Sequence, residues 1–366
     1  MEKKKRTIAI LSMQRIVNFG SVLQAWSLRE LIWDATGLWA EFLDIEDEPA
    51  LPSRKSTAER ADYETEAAYP QGLFQRGKRW TIARLSSLNK QFIRSFMKEE
   101  LGLREEKGRN FDCVVVGSDE VFNHSRGVRL QLHGEIENAD NIISYAASCG
   151  CALADDIFPE HKATVREAMS SFSAMSVRDA ATVHYVSEFY GREICRHLDP
   201  VLLGSLRERR HKDVVLNNYL LVYAYGQRIR TEEEIGAIRA YAARNSLKTV
   251  AVGGSQFWCD FYVPCRPFRV LDWFYYADCV VTDTFHGVIF SVINHRRFAA
   301  ITRKTNREKV RGLLKDLGLE YRELKAPEQL NDILAQDTDY EVVDAILDAE
   351  RVRTKNYLAE HLGEQK

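Results

Sequence analysis

The chain has 366 residues, 45% hydrophobic and 28% charged, and its 51 basic and 53 acidic residues give a formal charge of −2. This balance is ordinary for a globular protein with a substantial core and lacks the basic excess of a nucleic-acid-binding protein, so we expect no nucleic-acid partner. No stretch approaches the ~20 apolar residues of a membrane-spanning helix. The length predicts two domains.

The cysteines and the N-terminus indicate a cellular compartment. The seven cysteines form no Cys-x-x-Cys pair, and several, such as Cys113 and Cys279, lie in apolar runs where cysteine usually acts as a small buried hydrophobe. The first apolar run ends already at Leu11, and a run of this length is too short for a signal peptide. We therefore expect a protein of the reducing cytoplasm. The basic residues 3–6 could contact anionic lipid peripherally, although a solvated tail is the simpler interpretation.

Short apolar runs alternate with longer amphipathic runs, a pattern that predicts a parallel α/β fold. In the first half we predict strands over residues 7–13, 41–46, 112–117, 141–148, 175–177 and 194–198. Helices are predicted over residues 20–35, 80–98, 159–171 and 180–190. Residues 47–78 are predicted to form a long insertion.

The polar stretch 204–213 is interpreted as a linker between domains at residues 1–203 and 214–366. After it we predict strands over residues 219–225, 248–252, 279–282 and 298–301. Helices are predicted over residues 231–244, 271–276, 286–294, 309–317 and 340–362. Two successive α/β halves predict two Rossmann-like domains facing a cleft, with the site at the carboxyl ends of the strands.

Two segments of the first half place small or polar residues directly after predicted strands. Asn18, Gly20 and Ser21 stand where the first helix begins, so free backbone amides there could hold an anion or a sugar hydroxyl. Simple capping by Asn18 and Ser21 is the alternative. Ser118 and Asp119 follow a glycine after the third predicted strand and could likewise cap a turn or contact ligand hydroxyls.

Two further strand ends carry charge. Arg178 could bind a carboxylate or phosphate in bidentate fashion, or form an ion pair with Asp179. Asp199 could act as a base, but an Asp-Pro sequence at a strand end is more often a turn.

The fifth segment contains Thr284 and His286, between a predicted strand and an almost wholly apolar helix. Such a helix is buried and would hold the histidine firmly, where it could transfer protons near neutral pH or be merely structural. The next predicted strand ends at Arg303 and Lys304, a second cationic group. The scattered histidines predict no metal site.

Together these segments resemble the polysaccharide pyruvyl transferase family. Six family stretches (Asn-Tyr-Gly-(Ala/Ser)-x-Leu-Gln, Gly-Ser-Asp-Gln-x-Trp-Asn, Ser-Tyr-Ala-Ala-Ser-x-Gly, Ser-Val-Arg-Glu, Leu-Asp-Pro-x-Leu-Leu and Thr-Asp-Ser-Phe-His-Gly) have counterparts, in this order, at residues 18–24, 117–123, 144–150, 176–179, 198–203 and 282–287. The chain departs from the pattern at Glu120, Phe122, Asp179 and Thr284, which replace Gln, Trp, Glu and Ser. Glu120 adds a charge where an amide is usual, which bears on acceptor preference.

The resemblance implies a fold similar to two-domain glycosyltransferases of the GT-B type, in which a C-terminal helix, here 340–362, often crosses back to the first domain. It implies transfer of pyruvate from phosphoenolpyruvate to a sugar of a cell-surface polysaccharide or its precursor, as a ketal, without a further cofactor. A lipid-linked saccharide acceptor would place the protein at the inner face of the membrane.

The demands of this reaction, together with the resemblance in the case of His286, suggest roles for the candidate residues. His286 would be the general acid, and Asp119 a base or hydroxyl ligand. The anionic donor would be bound by Arg178, Thr284 and one of Arg303 or Lys304. The remaining candidates, for an acceptor or anion, are Asn18, Gly20, Ser21 and Ser118.

Two other functions stay open. A sugar-nucleotide-dependent glycosyltransferase of similar shape would need a diphosphate site in the second half, where Gly253, Gly254 and Ser255 form the one candidate glycine-rich turn. A non-catalytic scaffold in a polysaccharide assembly complex would bind no donor.

Overall fold

The computed structural model describes residues 6–46, 50–54, 73–103, 109–210, 214–226 and 228–363. Three predicted features lie wholly or partly outside these described residues. They are the basic N-terminal run at residues 3–5, most of the insertion at residues 47–72, and the end of the linker at residues 211–213.

The first half forms a six-stranded sheet in the order β2-β1-β3-β4-β5-β6, with every neighbouring pair parallel. Its strands are β1 (Ile8–Leu11), β2 (Glu41–Phe42), β3 (Cys113–Asp119), β4 (Ile142–Ala147), β5 (Phe172–Val177) and β6 (Ile194–Arg196). Its helices are α1 (Phe19–Thr36), α2 (Leu73–Glu99), α3 (Pro159–Ser170), α4 (Ala180–Ser187) and α5 (Pro200–Leu203). The central strands β3 and β4 are buried except at Asp119 and carry runs of Val or Ile near their starts, as expected when helices cover both faces of a parallel sheet.

The second half repeats this arrangement in the order β12-β11-β10-β7-β8-β9, again with parallel pairs. Its strands are β7 (Tyr219–Ala224), β8 (Lys248–Gly253), β9 (Phe261–Val263), β10 (Cys279–Thr282), β11 (Phe298–Ile301) and β12 (Glu323–Leu324). Its helices are α6 (Glu232–Arg244), α7 (Arg269–Tyr275), α8 (Phe285–Ile293), α9 (Arg307–Asp316), α10 (Leu330–Ala335) and α11 (Tyr340–Leu362). The predicted α/β class with two Rossmann-like halves is confirmed.

Several predicted bounds differ from the structure. The strand predicted at 41–46 pairs only over Glu41–Phe42, and the carbonyl oxygen of Leu43 instead accepts a hydrogen bond from the Gln14 side chain at 2.7 Å. Sequence analysis missed β9, β12, α5 and α10, which are two to six residues long and carry little periodic pattern. The predicted turn at Asp199 begins α5, because Pro200 is compatible with the first position of a helix.

Helix α2 contacts both halves. Near its middle, the Asn89 side chain donates to the Tyr262 hydroxyl at 2.8 Å and accepts from the Cys265 amide at 2.8 Å, both in the second half. Directly after its last residue, the guanidinium of Arg29 in α1 donates to the carbonyl oxygen of Glu100 at 2.6 Å. The helix therefore forms a wall beside the cleft between the sheets.

Helix α11 also contacts both halves. At its start, the Tyr340 hydroxyl donates to the carbonyl oxygen of Arg296 at 2.6 Å, beside β11. At its other end, the Tyr357 hydroxyl donates to the carbonyl oxygen of Ser144 in β4 at 2.8 Å. These contacts tie the end of the described chain to the first sheet.

Candidate active site

The start of α1 forms one side of the site. Asn18 caps the helix, since its side-chain oxygen accepts a hydrogen bond from the Ser21 amide at 2.8 Å. A Cβ atom added at Gly20 would lie less than 3.0 Å from three ring atoms of His286. Glycine is therefore required at this position, because the backbone of α1 passes directly against the imidazole.

The start of α8 forms the opposite side. Thr284 caps this helix, its hydroxyl oxygen accepting from the Gly287 amide at 2.9 Å. The rest of α8 is buried and apolar, so His286 in the first turn is held firmly. The N-termini of α1 and α8 thus meet at the imidazole, and their backbone dipoles favour negative charge there.

The His286 side chain is only 13% exposed. No described residue bonds to its Nε2 atom, which lies 3.9 Å from a carboxylate oxygen of Asp199. Burial lowers the pKa of His286, the carboxylates of Asp199 and Asp119 only partly offset this, and the cations Arg178 and Lys309 add to the lowering. The imidazole is therefore mainly neutral at neutral pH.

Arg178 and Asp199 form a buried ion pair behind His286. The guanidinium donates to the carboxylate at 2.8 Å, and the two side chains are 4% and 0% exposed. The predicted alternative partner was wrong, because Asp179 caps α4 through the Thr182 amide at 2.8 Å. Arg178 Nε has no partner in the described part of the chain, so the guanidinium keeps a donor for a ligand.

Asp199 accepts more than this one bond. Its second carboxylate oxygen accepts from the Val201 amide at 3.0 Å, and the Gln24 side chain donates to the oxygen that Arg178 contacts. Sequence analysis considered Asp199 only as a base or a turn residue. The structure makes it the group that fixes Arg178 beside His286.

A second ion pair joins the two halves. The Lys309 ammonium in α9 donates to the Glu120 carboxylate, which follows β3 and also accepts from the Asn123 side chain at 2.7 Å. Burial alone would raise the pKa of Glu120, but Lys309 and Asn123 lower it to about 2. Burial likewise favours the neutral amine of Lys309, yet Glu120 raises its pKa above the usual value. Both groups are therefore charged.

A cavity of about 220 Å³ lies between the halves in front of His286. Four predicted residues line it: Asn18, Gly20, Thr284 and His286. Its other walls are the ends of β7 and β8, including the Gly253–Gly254–Ser255 turn, and the Ser86–Lys90 part of α2. This volume is below the roughly 300–1,000 Å³ of pockets for drug-sized ligands, so the cavity suits a ligand smaller than those.

Other predicted residues lie beside this cavity. The Ser21 hydroxyl donates to the Asp119 carboxylate at 2.7 Å, which links α1 to the end of β3. Ser118 is buried, and its hydroxyl bonds to no described residue. Arg178, Asp199 and Lys309 line a smaller void of about 10 Å³ next to the Phe285 ring.

The structure places Arg303 and Lys304 away from this group. Arg303 donates to both carboxylate oxygens of Glu234, at 2.6 and 3.2 Å, and to Asp283 at 3.4 Å. Lys304 is exposed. The cation of this half that acts electrostatically on His286 is instead Lys309, which sequence analysis missed because it lies in the helix after the strand end rather than at the strand end.

The described residues contain no group of three or more His, Cys, Asp or Glu side chains able to hold a metal ion. None of their helices combines the length and apolar character needed to cross a membrane.

Comparisons with known proteins bear on the family and the fold. The family model described as polysaccharide pyruvyl transferase matches residues 18–305, in agreement with the resemblance seen in the motifs. A comparison with curated proteins found no significant match.

Solved structures of similar fold include a UDP-N-acetylglucosamine 2-epimerase, with a TM-score of 0.51, 12% identity, and coverage of 100% of this chain and 98% of that chain. The UDP-GlcNAc 2-epimerase of Methanocaldococcus jannaschii gives a TM-score of 0.49 and 12% identity, covering 96% and 100%. The glycosyltransferase SnogD of Streptomyces nogalater gives 0.39 and 13%, covering 98% and 96%. At these identities the likeness concerns the fold alone.

Proposed function

Because the chain belongs to the polysaccharide pyruvyl transferase family, we propose that it transfers pyruvate from phosphoenolpyruvate to a sugar of a cell-surface polysaccharide or its precursor. The observation that supports this most is the setting of His286. Its Nε2 atom is buried and bonds to no described residue, two helix N-termini meet at its ring, and two cations lie nearby. A small, highly anionic donor suits this environment.

The proposed reaction adds two hydroxyls of one sugar to C2 of phosphoenolpyruvate. The C2–O bond to phosphate breaks, two C2–O bonds to the sugar form, and C3 gains a proton to become a methyl group. The two sugar hydroxyls lose two protons in total. One proton is accounted for at C3, and the other leaves with the phosphate. The site must supply a proton to C3, cations for the donor's carboxylate and phosphate, and an acceptor for hydroxyl protons.

We assign the proton transfer at C3 to His286. Its pKa is lowered in the free protein, but a bound carboxylate and phosphate would raise it, so the donor itself would charge the imidazole. Arg178 has an unused Nε donor for one anionic group, and Lys309 takes the role first given to Arg303 or Lys304. Both cations line the void of about 10 Å³ beside the Phe285 ring and not the 220 Å³ cavity, so contact with the donor requires the halves to separate slightly.

The acceptor would approach from the side of the first half. The Asp119 carboxylate already accepts a hydrogen bond from the Ser21 hydroxyl, and it is our candidate for a base or for a ligand of a sugar hydroxyl. Asn18 and the buried Ser118 hydroxyl are further candidates for sugar contacts. We place the protein in the cytoplasm, and a lipid-linked acceptor would place it at the inner face of the membrane.

One observation favours a second candidate, a sugar-nucleotide-dependent glycosyltransferase. The Gly253–Gly254–Ser255 turn lines the same cavity, and such a turn can approach a diphosphate closely. That candidate predicts that uridine or guanosine diphosphate raises the melting temperature while phosphoenolpyruvate has no effect.

The test of the proposed reaction is phosphate release from phosphoenolpyruvate in the presence of saccharide acceptors. His286→Ala should lower turnover roughly 10²–10⁴-fold, the usual contribution of a general acid. The exposed His184 provides a matched control, since His184→Ala should leave turnover unchanged. Turnover near wild type in His286→Ala, with the protein folded, would remove His286 from the mechanism.

A further inference from the structure

Helix α2 carries an unusual charge. It contains seven Lys or Arg and a single acidic residue, Glu99 at its last position, in a chain that is otherwise slightly acidic. Like charges four residues apart destabilise a helix, and Lys90, Arg94 and Lys98 stand at this spacing. The excess of basic residues therefore cannot be explained by a need to stabilise the helix.

The cations share one face with exposed apolar groups. A helical turn of 100° per residue places Trp80, Arg84, Leu88, Lys90, Arg94 and Lys98 within one half of the helix surface. All six are exposed, Trp80 by 64% and Leu88 by 36%. We call these six residues the basic face of α2. The Arg84 guanidinium lies 5.4 Å from the centre of the Trp80 ring.

The opposite face explains why the helix is nevertheless held in place. Ile82, Asn89, Ile93 and Phe96 are buried against the body of the protein. The fold thus fixes α2 through these residues and leaves the basic face available to another molecule.

We propose that the basic face of α2 is a docking surface for an anionic lipid bilayer. Its cations are complementary to anionic headgroups, and Trp80 is the side chain best suited to the boundary between headgroups and acyl chains. Lys90 belongs both to this face and to the wall of the 220 Å³ cavity. Docking would therefore bring the candidate active site next to the bilayer, where a lipid-linked saccharide is found.

This proposal is tested by sedimentation with vesicles, without donor or acceptor. Wild-type protein should bind vesicles of phosphatidylcholine mixed with phosphatidylglycerol, and not phosphatidylcholine alone. Binding should weaken towards about 1 M salt, where the Debye length is about 3 Å. Because the assay contains no substrate, its failure and the failure of the pyruvyl-transfer proposal are distinguishable.

The decisive variant is the triple substitution Arg84→Gln, Arg94→Gln and Lys98→Gln, which leaves Lys90 intact. A basic residue near an anionic surface contributes about fivefold in partitioning, so we expect a loss of roughly hundredfold. The matched control removes three exposed cations elsewhere, Arg126→Gln, Arg244→Gln and Lys355→Gln, and should bind as wild type does.

Three results would overturn the proposal. They are equal binding by the two triple variants, equal binding to neutral vesicles, and no binding by the wild type. A fourth result would also reject the lipid assignment: if single-stranded nucleic acid displaces the protein at a lower concentration of negative charge than the vesicles carry, the face has a different partner.

Discussion

Glu120 and Lys309 form an ion pair that joins the two halves at the edge of the candidate site. The family pattern has an amide at position 120. In this chain Lys309 is instead held by the charged carboxylate of Glu120. The Lys309 ammonium is thereby fixed near Arg178 and His286, and it contributes to lowering the pKa of His286. On the proposed reaction we therefore expect this pair to affect donor binding, although position 120 in the sequence suggested an effect on acceptor preference.

Substitution of Lys309 tests that role. Lys309→Met should raise the apparent KM for phosphoenolpyruvate roughly tenfold or more, because a charge-assisted hydrogen bond contributes about 1.5–3 kcal/mol. Lys315→Met, in the same helix but exposed, should leave the KM unchanged.

The variant Glu120→Gln shows whether the effect of Lys309→Met comes from a lost contact with the donor or from loss of the ion pair. It keeps Lys309 and removes its partner, so the KM should stay near or below that of the wild type. If Glu120→Gln and Lys309→Met raise the KM equally, the pair is structural and Lys309 does not contact the donor.

At this scale the sequence predicted part of the site. His286 and Arg178 could be found because each follows a buried strand, where α/β proteins place functional groups. The partner of Arg178 could not, because Asp199, to which Gln24 also donates, meets Arg178 only through the packing of β5, α5 and α1. Sequence neighbours suggested Asp179, which is used for capping instead.

Helices α1 and α8 face each other through Gly20 and the His286 ring, and this contact positions the imidazole. Gly20→Ala would force a methyl group into the ring, so the histidine must rotate or the halves must move apart. We expect turnover to fall at least tenfold and the free energy of unfolding to fall by about 1–3 kcal/mol, the usual cost of overpacking.

The control for this substitution is Gly236→Ala in the interior of α6, where an added Cβ meets no atom within 4 Å. It should stabilise the protein by about 0.5–1 kcal/mol, because alanine favours the helix. Chemical denaturation and turnover measured on both variants check the prediction. Wild-type turnover in Gly20→Ala would show that the close approach has no role in catalysis.

At the scale of elements, the long strands and helices were predictable and the short ones were not. Central strands such as β3 begin with a buried apolar run, here residues 113–116, and α11 matches its predicted bounds. The edge strands β9 and β12 have three and two residues, and their pairing depends on the neighbouring strand rather than on their own pattern.

In the whole molecule, the two sheets are joined by α2, by α11 and by the Glu120–Lys309 pair. Such contacts link residues far apart in sequence, so no local pattern indicates them. The bridging position of α2 in particular was not foreseen, because its sequence shows only an amphipathic helix. It nevertheless forms a wall of the cavity and presents the basic face to solvent.

Donor binding should be linked to protonation of the site. The pKa of His286 is lowered in the free protein, whereas an anionic donor would raise it, so binding near neutral pH takes up a proton. Affinity for phosphoenolpyruvate should therefore increase as the pH falls from neutrality towards the lowered pKa of the free protein. His286→Gln should abolish the part of this dependence that does not come from the donor's own phosphate.

Titration calorimetry with phosphoenolpyruvate, in buffers of different ionisation enthalpy, measures affinity and proton uptake together. We predict binding with proton uptake in the wild type, uptake reduced in His286→Gln, and weaker binding in Arg178→Gln, with pyruvate and phosphate as weaker ligands. No binding of phosphoenolpyruvate, together with binding of uridine or guanosine diphosphate, would contradict the pyruvyl-transfer assignment and favour the glycosyltransferase.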